Sequence, residues 1–407
     1  MKTFLTIFIT IIIFGKIFSQ TEESVITGAS YVNEVYYSFN KGSIKTAART
    51  DWDIAFTTNV FDISILANTG VTGCELYTYP KGKIDDWESV DTTGMKWKPM
   101  YNSLDSWEEG AFTMNALGHP DYGWGIYNMG THEIIGDSIF IIKLSTGDYK
   151  KLAIVKKIST QNQWIFKYEN LDNTNLVEVT FDADDYPNRN FIHYSLNTEA
   201  FIEQEPTDYW QLLFTKYYDY TIPYYVTGIL SDPNVLVQQV DDVDQATFET
   251  YDNELFNDSV INEIGSDWKT FNGTSYDLDN DRVYFVHDTT DIHSFWKLYF
   301  TGFSGSSTGT YTFMKENLGY TGISEIEAVS TIYPNPTKDN INLIYAIDGK
   351  TNISIYDITG KLVFSTQVNY NNGLNKHLIK VENFASGIYN VVMQSDHKRS
   401  SVRFVKQ

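Results

Sequence analysis

The chain has 407 residues, of which 42% are hydrophobic and 15% aromatic, with 29 Tyr, 25 Phe and 9 Trp. That length allows two to three domains, the apolar share excludes a chain disordered throughout, and the aromatic share favours sheet over helix. A formal net charge of −22 excludes the clustered basic surface that nucleic-acid binding needs.

Residues 1–19 read as a secretory signal peptide. Lys2 supplies the positive start, Phe4 to Phe14 is an apolar or Thr run, and Ser19-Gln20 offers a cleavage point. The run is shorter than the ~20 residues a membrane helix needs, and none like it recurs, so no transmembrane segment is expected in the mature chain. Cys74 is the single cysteine. It leaves no internal disulfide and is expected to be a small buried side chain.

Val35 to Asn40 alternates as a strand does, and Thr50-Asp51-Trp52-Asp53-Ile54-Ala55-Phe56-Thr57 reads as a second strand opened by a large aromatic. A Gly-rich turn spans Asn68 to Gly73. Residues 81–123 are irregular but hold Trp87, Trp97 and Trp107, groups that prefer burial. Ser138 to Lys143, Lys151 to Val155 and Trp164 to Tyr168 form an antiparallel meander. The same order then returns. Ile192 to Asn197 echoes the first strand, Thr207 to Thr215 echoes the Trp52 strand with Trp210 in place of Trp52, and Trp268 to Thr274 echoes Trp124 to Thr131. Arg282 to Val286 echoes the meander's first strand, and Tyr311 to Leu318 echoes Trp164 to Leu171 down to a shared Glu-Asn-Leu. Spacing that drifts while order holds is what loop insertions do to a duplicated domain. Composition changes near Ile326: residues 20–325 carry 46 Asp/Glu against 19 Lys/Arg, and residues 326–407 carry 6 against 9. The expected fold is all-β, with two tandem antiparallel β-domains at 20–172 and 173–322 and a small Ig-like β-sandwich tail at 326–407.

Enzyme motifs fail on their own terms, and the chain is expected to be non-catalytic. Asp277 to Asp281 starts like a calcium loop but lacks the Gly at its sixth position. His132-Glu133 lacks the second His of a zinc protease, and Gly302 to Ser306 lacks the closing Gly of a nucleophile elbow.

Tyr333-Pro334-Asn335-Pro336-Thr337, the Ile353-to-Val363 stretch around Gly360, and Phe384-Ala385-Ser386-Gly387-Ile388-Tyr389 resemble the C-terminal sorting domain of type IX secretion cargo. The resemblance implies contact with that machinery through the tail. It implies export after the signal peptide, and release or attachment at the outer cell surface.

Tyr36 to Gly42, the Trp52 strand and the Asn68–Gly73 turn resemble the first half of the HmuY haem-binding family, with a second, more divergent copy following. The family's all-β haemophores grip haem between two axial His or Met ligands, so the resemblance implies haem or another porphyrin as partner and haem b as cofactor. The second family ligand falls in Tyr127-Asn128-Met129-Gly130-Thr131-His132, where Met129 aligns best and His132 is three residues away. The first belongs near Glu108-Glu109-Gly110-Ala111-Phe112. No His stands there, so the family's bis-histidine pairing is not expected, and Met100 and His119 are the candidates, with Met95 and Met114 also in range. Block two has Phe271-Asn272-Gly273-Thr274 in the matching loop, without a Met. The alternative reading is a surface adhesion or ligand-binding protein that keeps the fold without haem ligands.

Overall fold

The strand Ile54–Thr57 is buried on both faces, so something must cover it on each side. The computed structural model describes residues 20–318 and 331–407 except 71–72, 220–221, 253–255, 257–259, 292–293, 346–348, 371–374 and 395–398. The signal-peptide reading lies outside the described residues. The chain divides into two compact units, Met1–Gly319 and Tyr320–Gln407. Among the described residues regular structure is strand and short 3-10 turns, and no helix is long and apolar enough to cross a membrane.

In the first unit β1 (Thr21–Ile26), β2 (Asn33–Ser38) and β3 (Gly42–Ala48) precede β4 (Ile54–Thr57), β5 (Ile65–Ala67), β6 (Glu75–Thr78) and β7 (Pro99–Met100). Next come β8 (Gly125–Asn128), β9 (Glu133–Gly136), β10 (Phe140–Lys143), β11 (Tyr149–Ile158), β12 (Gln163–Asn170), β13 (Val177–Asp182), β14 (Phe191–Ser195) and β15 (Ala200–Ile202). The rest are β16 (Leu212–Asp219), β17 (Tyr224–Ser231), β18 (Val235–Val240), β19 (Lys269–Phe271), β20 (Tyr276–Leu278), β21 (Val283–Asp288), β22 (Phe295–Phe303) and β23 (Thr310–Asn317).

These strands build two sandwiches with one strand order. In sandwich I the sheet β15-β14-β4-β5 packs on β13-β12-β11-β10-β6-β7 through Phe56, Trp124, Trp164 and Phe166. In sandwich II the sheet β3-β2-β16-β17 packs on β1-β23-β22-β21-β18 through Tyr37, Phe214, Trp268 and Phe313. Alternation supplies the second buried face of the small sheets. Ala55, Leu66 and Phe191 point away from core I, Tyr36, Leu213 and Leu230 point away from core II, and Trp107 packs against both groups. The small sheets are therefore the inner layers of a four-layer body.

The sheets do not divide at residue 172. β13–β15 complete sandwich I, and the N-terminal β1–β3 complete sandwich II. A short turn lets β13 fold straight back along β12, with Trp164 opposite Phe181, which is the local closure with the smallest entropic cost. Among the described residues of this unit no strand follows β23, and β1 covers its matching edge with Val25 opposite Tyr311.

Trp52 and Trp210 both stand just before their strands, and their surroundings correspond. Asp53 N–H donates to Tyr194 O at 2.9 Å as Gln211 N–H does to Tyr37 O at 2.9 Å. Leu196 N–H donates to the Asp53 carboxylate at 2.8 Å, and Phe39 N–H to the Gln211 amide oxygen at 3.1 Å. Trp52 meets His193 edge-on at 4.7 Å, and Trp210 meets Tyr36 edge-on at 5.2 Å. The Glu of the shared Glu-Asn-Leu has one role in both. Glu169 pairs with buried Lys151 at 2.8 Å, and Glu316 with buried Lys297 at 3.7 Å.

The second unit contains β24 (Thr331–Tyr333), β25 (Asn340–Tyr345), β26 (Gly349–Asp357), β27 (Leu362–Tyr370), β28 (Asn375–Lys380), β29 (Gly387–Gln394) and β30 (Arg399–Lys406). Sheets β24-β25-β28 and β27-β26-β29-β30 share one core around Leu343, Ile355, Val391 and Phe404, a small β-sandwich.

Candidate functional site

The hairpin β8–β9 joins the large sheet of sandwich I through β9, which pairs with β11 at Lys156 to Ile158, just past the bulge between Ile154 and Lys156. Gly136 permits that close approach, since a Cβ there would stand 1.7 Å from Ile154 O. The tip is held by Asn128, whose side-chain oxygen accepts from Gly130 N–H at 2.9 Å and Thr131 N–H at 3.3 Å. His132 follows in the left-handed region at φ 57°, its N–H donating to Asn128 O at 2.9 Å. Residues 118–121 lie beside β8: Asp121 bridges to Ile126, and Tyr127 N–H donates to Pro120 O at 2.8 Å.

Two imidazoles therefore share one tyrosine. His132 Nδ1 lies 2.7 Å from the Tyr127 hydroxyl, and the His119 ring lies 5.4 Å from the Tyr127 ring. His119 Nδ1 is in turn 3.1 Å from the Tyr122 hydroxyl. A ring whose Nδ1 is held by a hydroxyl is oriented with Nε2 left for another partner, the arrangement metal-ligating histidines show. Met129 is 75% exposed at the tip, and Leu117, Ile126 and Ile135 are exposed apolar residues of the same two segments. Among the described residues no group of three or more His, Cys, Asp or Glu is set to hold a bare metal ion.

Met100 is placed elsewhere. It is 2% exposed on β7, and its sulfur accepts from the Thr78 hydroxyl at 2.9 Å, so it serves the core. Glu108-Glu109-Gly110 fixes backbone: a Cβ on Gly110 would stand 2.1 Å from Ile65 O, and the next N–H, of Ala111, is held by Asn102 at 3.0 Å. Sequence reasoning missed Tyr122 and Tyr127 as the groups that orient the histidines. The signal was a tyrosine three residues after His119 and another five before His132. Sandwich II has a counterpart hairpin, β19–β20, paired as a two-stranded sheet of its own, and Asn272 caps it as Asn128 caps β8–β9. It carries exposed Phe271, Gly273 and Thr274 and no imidazole. The nearby carboxylates serve Arg282, which pairs with Asp241 at 2.6 Å, Asp267 at 3.0 Å and Asp279 at 3.3 Å.

Buried titratable groups also gather between the inner sheets. The Glu205 carboxylate accepts from Asn190 N–H and Phe191 N–H and, at 2.9 Å, from Trp210 Nε1. Burial outweighs these bonds and pushes its pKa up to about 7. Burial, then Arg189 and Lys45, lowers His193 to about 3, so the imidazole is neutral. Cys74 is buried, as expected, and burial raises its thiol pKa.

The tail motifs have local physical roles. Asn335 clamps the last strand, accepting from Val405 N–H at 2.9 Å and donating to Arg403 O at 3.1 Å between Pro334 and Pro336. Asp357 accepts from Thr359 N–H at 2.9 Å and Lys361 N–H at 3.1 Å, closing a turn in which Gly360 takes φ 83°. Gly387 opens β29.

The molecule is thus an all-β body followed by a separate β-sandwich tail. Residues 331–407 match the secretion system C-terminal sorting domain, which directs export to the cell surface or the extracellular space by the type IX machinery. No curated protein matches the chain. Among solved structures, dimeric latent PorU from Porphyromonas gingivalis is similar over 84% of this chain and 34% of that one, at 11% identity and a TM-score of 0.17, so this chain spans about a third of that protein's length.

Proposed function

We propose that the body is a non-catalytic haem- or porphyrin-binding protein of the HmuY kind, a duplicated pair of which only sandwich I kept its ligands, carried outward by an Ig-like tail. The observation that carries this reading is the pair His119 and His132, each with Nδ1 at a tyrosine hydroxyl, beside exposed Leu117, Ile126 and Ile135. Haem iron needs one such donor on each face, and the macrocycle needs apolar surface. Alignment with the family favours Met129, whereas the hydrogen bonding favours the two imidazoles, with Met129 as a neighbouring thioether. The resemblance of Tyr36 to Gly73 to that family supports the same reading.

Titrating hemin into the exported chain at micromolar concentration tests it. A saturable Soret shift is expected, weakened by His119→Ala and by His132→Ala. A spectrum identical to free hemin would leave the alternative, a surface adhesion or ligand-binding protein without haem.

A further inference from the structure

The inner layers do not close completely on each other. Between them lies a cavity of about 90 Å³ walled chiefly by Trp52, Leu66, Trp107, Phe191, Trp210 and Leu230. Half-exposed Ser103 and Lys216 also line it, so it is not sealed.

Among the described residues of its wall, one buried side-chain polar atom lacks a partner. Trp107 Nε1 donates to Ser231 O at 2.8 Å and Trp210 Nε1 to Glu205 at 2.9 Å. Glu34 accepts from Gln204 at 2.8 Å and from Thr215 at 3.1 Å. Trp52 is 8% exposed, and its Nε1 is buried with no hydrogen-bond partner. An orphaned buried donor costs ~1–3 kcal/mol, yet Trp210 at the matching position of sandwich II is satisfied. Most of the wall is indole, phenyl and leucine side chain, which gives a water no partner over most of the space. Burial raises the pKa of both Glu34 and Glu205, so the space favours uncharged groups over ions.

We propose that this cavity is a second ligand site, taking a small uncharged carbonyl compound whose apolar part lies against Trp107 and Trp210 and whose oxygen accepts from Trp52 Nε1. Scaled from the engineered cavity of about 150 Å³ that takes the six carbons of benzene, the enclosed space holds about four non-hydrogen atoms, and the open side at Ser103 and Lys216 leaves room for about two more. The site belongs to the pairing of the two sandwiches and is independent of the haem reading.

The test is an indole N–H correlation spectrum of the full chain, in which Trp52→Phe identifies the Trp52 resonance. Cyclopentanone is the probe, and methylenecyclopentane, of similar shape without the acceptor, is the control. Cyclopentanone is expected to move the Trp52 resonance saturably at millimolar concentration, with smaller shifts at Trp107 and Trp210. Methylenecyclopentane is expected to leave the Trp52 proton nearly in place. Trp52→Phe, checked for an unchanged melt, is expected to bind cyclopentanone several-fold to tenfold more weakly, followed at Trp107. No saturable shift at any of the three indoles, or equal affinity in wild type and Trp52→Phe, overturns the proposal.

Discussion

Hairpins β8–β9 and β19–β20 occupy the same place in two sandwiches of one strand order, and an asparagine caps each tip. One tip adjoins two oriented imidazoles and an exposed methionine, and the other presents Phe271 and Gly273. The scaffold residues agree where the site residues differ. Trp52 and Trp210 keep edge-on ring contacts, and Asp53 and Gln211 keep matching backbone bonds. Each sandwich keeps a buried Lys–Glu pair, although only Trp210 of the two tryptophans has a partner for its indole N–H. The difference at the tips teaches that this architecture holds its shape without the donors.

The severest way to break the comparison is to remove residues 20–50. Sandwich II then loses β1–β3 and the core side chains Val25, Val35, Tyr37 and Phe39. Hydrogen exchange is expected to show lost protection in β16–β23 while β10–β12 stay protected. Equal protection in both sets contradicts the exchanged pairing.

Next in size are the buried ion pairs. Lys151→Met strands Glu169 in the core and is expected to cost about 3–5 kcal/mol in urea unfolding, with Lys297→Met in the same range. Adding Glu169→Leu to Lys151→Met should restore much of the loss. A negligible effect of either single change would mean the two pairs are not equivalent.

Smaller effects depend on pH. Glu205 titrates near 7 folded against a usual 4.5, so the folded state holds its proton more tightly and stability falls as pH rises through that window. Glu205→Gln removes this slope, so the wild-type melting temperature minus that of the variant is expected to decrease from pH 5 to pH 8. His193 acts in the opposite sense. With its pKa lowered from 6.5 to about 3, its contribution is present above pH 6.5 and lost as pH falls toward 3. His193→Phe should therefore flatten the acid side of the stability profile.

The smallest expected effect on stability is that of Met129→Ala, within about 0.5 kcal/mol for so exposed a side chain. Any change it makes to the hemin spectrum then reports contact with the ligand.

Strand order was legible because period-two alternation and large aromatics mark each strand, and the repeated Trp and Glu-Asn-Leu positions turned out to hold matching contacts. Partnership was not legible. A strand's alternation states which face is buried and says nothing of which edge it joins, so nothing in Tyr36-Tyr37-Ser38 points to Leu212. Double-sided burial of Ile54–Thr57 was hidden for the same reason. At the site, Met129 stood out by alignment, but the tyrosine hydroxyls that orient His119 and His132 became visible only once the 118–121 segment was bridged to β8. Met100 was in range along the chain and is taken by the core.

The most direct measurement is native mass spectrometry of the hemin-loaded exported chain beside its His119→Ala/His132→Ala variant. One hemin per wild-type chain and none on the variant is the expected result. Two hemins on the wild type, or one retained by the variant, would contradict a single site at the β8–β9 hairpin.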